Sequence, residues 1–327
     1  MITIQAHQFI HDRLGPGCTI QKISGDASFR TYYRVFLPDK RSVVFMDAPP
    51  DKENSHPFVD IATFLTTHDV PVPHILHTDL DQGFLLIEDF GDLTFLEAVK
   101  QGEDALRLYT HAVEDLLKLQ ATPNDGRCIA HQRPYDRTLL SNEFALFTDW
   151  YLPGIVKQTV TDEDRETFRT CFDRIIEQVL QQPVVLVHRD YHSRNLMWTG
   201  DQVGIIDFQD AVMGPITYDL ASLLRDCYVA WDVAFRDEIS KIWLRGANQR
   251  LGYCPDPITF SRDFNYMALQ RNLKAVGIFG RLSLRDGKHG YLNDIPRTME
   301  YVRETLLCYP ELAPLGELLV KYRVMAQ

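Results

Sequence analysis

The segment VLVHRDYHSRNLMW, residues 185–198, sets Asp190 and Asn195 five positions apart behind a short apolar run, with His188 and His192 beside them. Twelve positions after Asn195, the run VGIID ends on Asp207. Two carboxylates and an amide offer hard oxygen ligands to a divalent cation, and a carboxylate beside a hydroxyl can orient it and accept its proton. The same letters admit a rival chemistry. On an extended strand His188, Asp190 and His192 would point to one side, since side chains repeat every two residues, and such a set can bind zinc for metal-assisted hydrolysis. That reading leaves Asn195 and Asp207 without a task.

Two kinds of element must bring these residues together. From Thr19 to Asp47 the chain alternates strand-like pieces (TIQKI, TYYRVFL, SVVFM) with a polar connection, SGDASFR, and a turn at Pro38-Asp39-Lys40, which predicts a small antiparallel sheet. Pro49-Pro50 stops it. Phe58, Ile61, Ala62 and Leu65 then recur at helical spacing over 56–68, and strand-like pieces follow at 73–77 and 84–88. Beyond Gly91 helical patterns cover 103–121, 136–150, 162–181, 217–246 and 262–282, with strand signals at 184–188 and 203–208. The pattern predicts an α+β protein with a β-rich lobe over residues 1–92 and a larger helical lobe over 93–327. Clefts between such lobes are favoured ligand sites.

Composition excludes several other classes. A formal net charge of −11 argues against a nucleic-acid-binding surface. The six cysteines are far apart with no C-x-x-C pair, so neither a disulfide scaffold nor a structural zinc site is expected. Apolar runs are only about four residues long, far short of the roughly 20 that span a bilayer. The first residues, MITIQAHQFIHDRL, mix polar and apolar types and read as an amphipathic helix of a cytoplasmic protein.

The joined pattern H-x-D-x-x-x-x-N, a hairpin and I-I-D resembles the catalytic core of the protein-kinase-like bilobal fold, with a spacing close to the aminoglycoside phosphotransferase and choline kinase branch. The resemblance implies ATP and Mg2+ as cofactors, Asp190 and Asn195 as catalytic residues, and Asn195 and Asp207 as metal ligands. It implies a structural role for His188, which would hold the loop, and for Asp219, which would brace it; an Asp in the first turn of a helix also gains from the helix dipole. Asp210 is either an auxiliary shell residue or a polar turn residue, and His192 has no assigned task.

On the nucleotide side the resemblance implies phosphate contacts from the 24–35 segment, through Ser28 and Arg30, and adenine contacts from the backbone around Glu88 to Phe90. That segment has a single glycine, Gly25. The third strand carries Met46 and Asp47 where kinases place a lysine. Arg30, Arg34 and Lys52 are the cations able to replace it, and a nucleotide-binding pseudokinase is the alternative this departure permits.

On the acceptor side Arg271, Lys274 and Arg281 fall near one helix face, within a stretch, 271–288, that has five basic residues against one acid. Such a cluster suits an anionic or neutral polar acceptor. The segments GDASFRTYYRV, FMDAPP and LQRNLKAVGIFGRLSLRDGKHGYLNDIPR resemble the bacterial amino-sugar kinases that phosphorylate the anomeric hydroxyl of N-acetylmuramate and N-acetylglucosamine in peptidoglycan recycling. The resemblance implies a small-molecule sugar acceptor, with no nucleic-acid or membrane partner. Another hydroxylated metabolite or an aminoglycoside is the alternative acceptor, and zinc-dependent hydrolysis the alternative chemistry.

Overall fold

The computed structural model describes residues 2–23 and 29–325. Helix α1 (Ile4–Leu14) precedes β1 (Thr19–Lys22), β2 (Thr31–Phe36) and β3 (Ser42–Asp47); α2 (His56–Thr66), β4 (Ile75–Asp79) and β5 (Phe84–Glu88) complete the first lobe. The strands form one antiparallel sheet in the order β1-β2-β3-β5-β4. Register places Tyr32 opposite Met46 and Arg34 opposite Val44. Strand alternation then divides the sheet. Tyr33, Val35, Phe45, Phe84 and Leu86 pack with Phe9 and Ile10 of α1, while Met46, Leu85 and Ile87 join α2 and the main core on the other face. Tyr32 and Arg34 share that second face, which looks toward the rest of the chain.

The second lobe holds α3 (Phe95–Lys100), α4 (Ala105–Gln120), α5 (Arg137–Leu146) and α6 (Asp162–Leu180), then β6 (Val184–Val187), β7 (Leu196–Trp198), β8 (Val203–Ile205) and β9 (Val212–Pro215). Helices α7 (Tyr218–Leu224), α8 (Val233–Leu251), α9 (Pro257–Asp286), α10 (Ile295–Cys308) and α11 (Ala313–Lys321) follow. β7 and β8 pair as a hairpin, and β6 pairs antiparallel with β9. This is the expected bilobal α+β architecture, and among the described residues no helix is long and apolar enough to cross a membrane.

Three departures from the sequence expectations have local causes. The helical pattern over 217–246 is broken between Leu224 and Val233. There the buried Asp226 accepts backbone N–H bonds from Ser193 (2.9 Å) and Tyr228 (2.8 Å), and Asp232 caps α8 by accepting from Phe235 (2.8 Å). Such side-chain acceptors compete with the helix ladder. Helix α9 outruns its expected 262–282 at both ends: Asp256 caps it with Pro257 in the first turn, and Gly287, at φ +66°, closes it. The expected helix over 136–150 ends at Leu146 and continues as a π-helical segment, Phe147–Val156. That segment lies so close to α9 that a Cβ on Gly277 would fall 2.4 Å from the Leu146 carbonyl carbon and 2.5 Å from the Phe147 nitrogen. Only glycine fits there.

Candidate active site

Strand β6 ends at Val187, and the chain turns at once. Arg189 takes a left-handed φ of +79°, a costly conformation for a residue with a side chain, which persists only where the surroundings impose it. They do so through Asp219, in the first turn of α7. Its fully buried carboxylate accepts the backbone N–H of His188 at 2.7 Å and of Arg189 at 3.0 Å. Burial pushes the Asp219 carboxyl up to about 6, against the pull of His188 and the two N–H donors. Bracing of the loop, rather than a dipole interaction alone, is what the Asp219 side chain does.

His188 ties the loop to the segment that carries Asp207. Its Nδ1 accepts the Asp190 N–H (3.2 Å), so its Nε2 carries the proton and donates to the Ile206 carbonyl (2.9 Å). The Ile206 N–H in turn reaches the Asn195 carbonyl at 3.0 Å. With both ring nitrogens engaged, His188 has no lone pair left for a metal. The chain also turns at Asp190–His192, where the His192 N–H bonds the Asp190 carbonyl at 3.1 Å, so His188, Asp190 and His192 do not lie along a strand. Among the described residues no group of three His, Cys, Asp or Glu is placed to hold a metal. The zinc arrangement requires both features, and neither is present.

The Asn195 amide joins the main chain of Asp190 to the carboxylate of Asp207. Asn195 Nδ2 donates to the Asp190 carbonyl at 3.0 Å and to Asp207 Oδ2 at 3.3 Å. Asp207, just past the end of β8, also has a left-handed φ of +66°, and Gln209 Nε2 donates to its Oδ1 at 2.8 Å. Arg133 holds this second loop by donating to the Gln209 carbonyl at 2.8 Å. A carboxylate and an amide side by side, without a third acidic ligand, fit a magnesium ion, which needs one or two protein oxygens and takes others from water and phosphate.

Asn195, Asp207 and Gln209 lie at one end of a cleft of ≈ 900 Å³ between the lobes. Ile23 and Val44 line it from the sheet, Met197 and Ile206 from the hairpin side, and the connection from Glu88 to Asp92 forms its back. The cleft is therefore apolar between the sheet and the hairpin side and polar at the Asn195–Asp207 end. Glu88 turns its carboxylate away, to His74 Nδ1 at 2.7 Å, and its N–H donates to the His74 carbonyl at 3.0 Å. The ring of Phe90 lies over Gly204, where a Cβ would come within 2.3 Å of it.

The cations divide clearly. Arg34 is bound by Asp89 through Nε (2.6 Å) and Nη2 (3.0 Å) and by Asp92 through Nη1 (2.6 Å). The exposed Lys52 sits over the Phe29 ring at 5.5 Å. Arg30 lines the cleft, with its Nε 3.6 Å from Glu53 and its guanidinium 5.9 Å from the centre of the Phe58 ring. Met46 is fully buried, and among the described residues the cations that line the cleft are Arg30 and Arg34. Ser28 and Gly25 lie outside the described residues.

Behind Asp190, burial opposes ionisation of its carboxyl, but Lys274, His192, Arg271 and Arg189 together hold it well below the ordinary carboxylate range. Arg271 and Lys274, both on α9 and both buried, thus reach this region. Arg281 does not share it: its charged neighbours are Arg285 and Asp286. Arg271 Nε and Nη1 are buried and have no hydrogen-bond partner among the described residues. His192 packs edge-on against Tyr228, with its Nδ1 likewise buried and unpartnered; burial, chiefly, pulls its pKa down. Sequence reasoning missed Glu143, Arg133 and Gln209. Glu143 is a lone acid in the helical stretch SNEFAL, and nothing in its spacing announces a role.

A sheet-topped cleft whose polar end holds Asn195 and Asp207, with the Asp190 loop bonded to Asn195, has the arrangement of a kinase-like phosphotransferase. The chain belongs to the phosphotransferase enzyme family (APH), whose profile matches residues 19–253. Among curated proteins, the N-acetylmuramate/N-acetylglucosamine kinase of Pseudomonas putida is 40% identical over 313 residues, 95% of this chain and 91% of that one. The N-acetylmuramate/N-acetylglucosamine kinase of Neisseria meningitidis serogroup B is 40% identical over 305 residues, 91% of this chain and 89% of its own. Of solved structures, ADP-bound aminoglycoside phosphotransferase APH(2'')-Ib shares the fold at a TM-score of 0.62 and 14% identity, covering 93% of this chain and 99% of that one.

Proposed function

We propose that this protein is a cytoplasmic, ATP-dependent kinase that phosphorylates the anomeric hydroxyl of N-acetylmuramate and N-acetylglucosamine in peptidoglycan recycling. The observation that supports the reading is the pairing of Asn195 with Asp207 at the polar end of the cleft, with the Asp190 loop tied to Asn195 through its main-chain carbonyl. The 40% identity to the two curated amino-sugar kinases supports the choice of acceptor.

In this reading residues 1–92 and the hairpin β7–β8 hold the nucleotide, and residues 93–327 supply the reacting groups and the acceptor wall. The base lies between Ile23 and Val44 above and Met197 and Ile206 below, against the backbone of Glu88 to Phe90. Arg30 faces the phosphates, taking the place of the strand lysine. Asn195 and Asp207 hold Mg2+, which when bound neutralises phosphate charge. Asp190 orients the acceptor hydroxyl and takes its proton as the new oxygen–phosphorus bond forms and the bond to the β,γ-bridging oxygen breaks, giving ADP and the sugar 1-phosphate. An anomeric hydroxyl is more acidic than an ordinary alcohol, which suits a carboxylate held as strongly ionised as Asp190. Arg271, with its unmet donors, faces the acceptor.

The test is turnover of ATP with Mg2+ and each of the two sugars, with their 1-O-methyl glycosides as controls. Both free sugars are expected to be phosphorylated and neither glycoside. Phosphorylation of the glycosides would move the reaction to another hydroxyl, and turnover confined to choline or an aminoglycoside would overturn the acceptor.

A further inference from the structure

Beneath Asp190 lies a buried group of polar side chains that the proposed chemistry does not use. At its centre is Glu143 of α5, with 4% of its surface exposed. Its carboxylate binds Arg189 Nη2 at 2.7 Å, Gln270 Nε2 at 3.0 Å and Lys274 Nζ at 3.3 Å, and it accepts a short hydrogen bond from the hydroxyl of Tyr135. Lys274 in turn donates to the Tyr218 hydroxyl at 2.9 Å. The carboxylate stays ionised despite burial, because Lys274, Arg189 and the hydroxyl and amide donors around it outweigh desolvation.

Two consequences follow from this geometry. Arg189, whose left-handed backbone directs the following residue, is held at both ends: Asp219 binds its N–H and Glu143 binds its guanidinium. Lys274, one of two buried cations near Asp190, has its ammonium bound by Glu143 and Tyr218 and is not available to an acceptor, unlike Arg271. We propose that Glu143 is a positioning residue for phosphoryl transfer: by binding Arg189 and Lys274 together it fixes the loop that presents Asp190, and Lys274 belongs to that floor rather than to the sugar site.

The inference rests on the proposed function, so the assay uses the full chain with ATP, Mg2+ and both amino sugars. Glu143→Gln keeps the shape and removes the charge. It is expected to lower kcat on the order of 10–100-fold, the scale of a small misplacement of a reacting group, while KM for each sugar stays within about threefold, the mark of an interaction that acts on the chemical step rather than on binding. Lys274→Met should show the same split. The double variant should fall little further than the weaker single variant, because the two act as one unit. If Glu143→Gln does not fold, Tyr135→Phe removes one donor and keeps the charge; its kcat should drop several-fold, and a wild-type kcat there would overturn the proposal. An unchanged kcat in folded Glu143→Gln, or a Lys274→Met defect confined to sugar KM, would overturn it too. A wild type inert on both sugars would instead strike the acceptor reading and this inference with it.

Discussion

Replacing Asp219 by Asn should leave the fold nearly as stable and yet cripple the reaction. Two terms oppose each other. The wild-type carboxylate is fully buried, and its rise from an ordinary 3.8 to about 6 means that ionising it at neutral pH costs about 3 kcal/mol of stability, at about 1.4 kcal/mol for each pH unit. Asn escapes that cost. It offers one acceptor oxygen where the carboxylate offers two, however, so either the His188 or the Arg189 N–H loses its partner, at about 1–3 kcal/mol for a buried donor. The net change at pH 7.5 is therefore within about 2 kcal/mol of zero. Catalysis has no such compensation, because Arg189 loses part of what imposes its left-handed backbone, and kcat should fall about a hundredfold.

The pH dependence gives an independent check. A carboxyl whose pKa is raised in the folded state contributes stability that is fully present below its unfolded pKa and is lost as pH rises through the folded value. Between pH 7.5 and pH 5 the wild type thus regains about 1.4 kcal/mol from Asp219 that the Asn variant cannot. Urea unfolding at the two pH values, with kcat measured at saturating sugar and nucleotide, reads both effects. A variant with wild-type kcat would refute the bracing role. A stability difference between the two proteins that is the same at both pH values would refute the raised pKa.

Other outcomes follow from the same structure. Asp190→Asn should lower single-turnover phosphate transfer by about 10²–10⁴-fold, the usual contribution of a positioned base; equal transfer by variant and wild type would exclude Asp190 from the chemistry. Arg271→Ala should raise KM for N-acetylmuramate more than for N-acetylglucosamine, since only the former offers a carboxylate to its unmet donors, and an equal rise for both would remove that pairing. Gly277→Ala should destabilise the protein by about 3 kcal/mol in denaturant unfolding, because the added methyl meets the backbone at Leu146 and Phe147 rather than a side chain that can move; a midpoint within error of wild type would show that α9 can back away.

Where the chemistry constrains residue types tightly, the sequence was readable. An Asp, an Asn five residues on and an Asp at a strand end leave few alternatives, and Asn195 bonds both the Asp207 carboxylate and the main-chain carbonyl of Asp190. Strand β5 lies at the expected 84–88 because its apolar run is bounded by a turn and a polar connection. Elements that depend on distant partners were not readable. The break after Leu224 exists because Asp226 reaches back to Ser193, which periodicity over 217–246 cannot register. Strand β9 is a strand because it pairs with β6, and its four residues carry no alternation of their own. Lys274 and Arg271 look alike in sequence, three positions apart on one helix; Glu143 and Tyr218, both distant in the chain, separate them by binding Lys274.

The guanidinium of Arg34 bears on how the two halves of the molecule can move. It joins the second strand of the sheet to Asp89 and Asp92, and Ser42 of the third strand donates to Asp89 as well, at 2.7 Å. The Asp89 side of this clamp is almost wholly shielded from water, its carboxylate 3% exposed, so it resists screening. Rocking of the sheet must therefore carry the first residues of the connecting peptide with it. Ile23, Val44 and the connection through Asp89 thus form one wall of the cleft, coupled to the sheet, and Met197 and Ile206 of the hairpin side form the other.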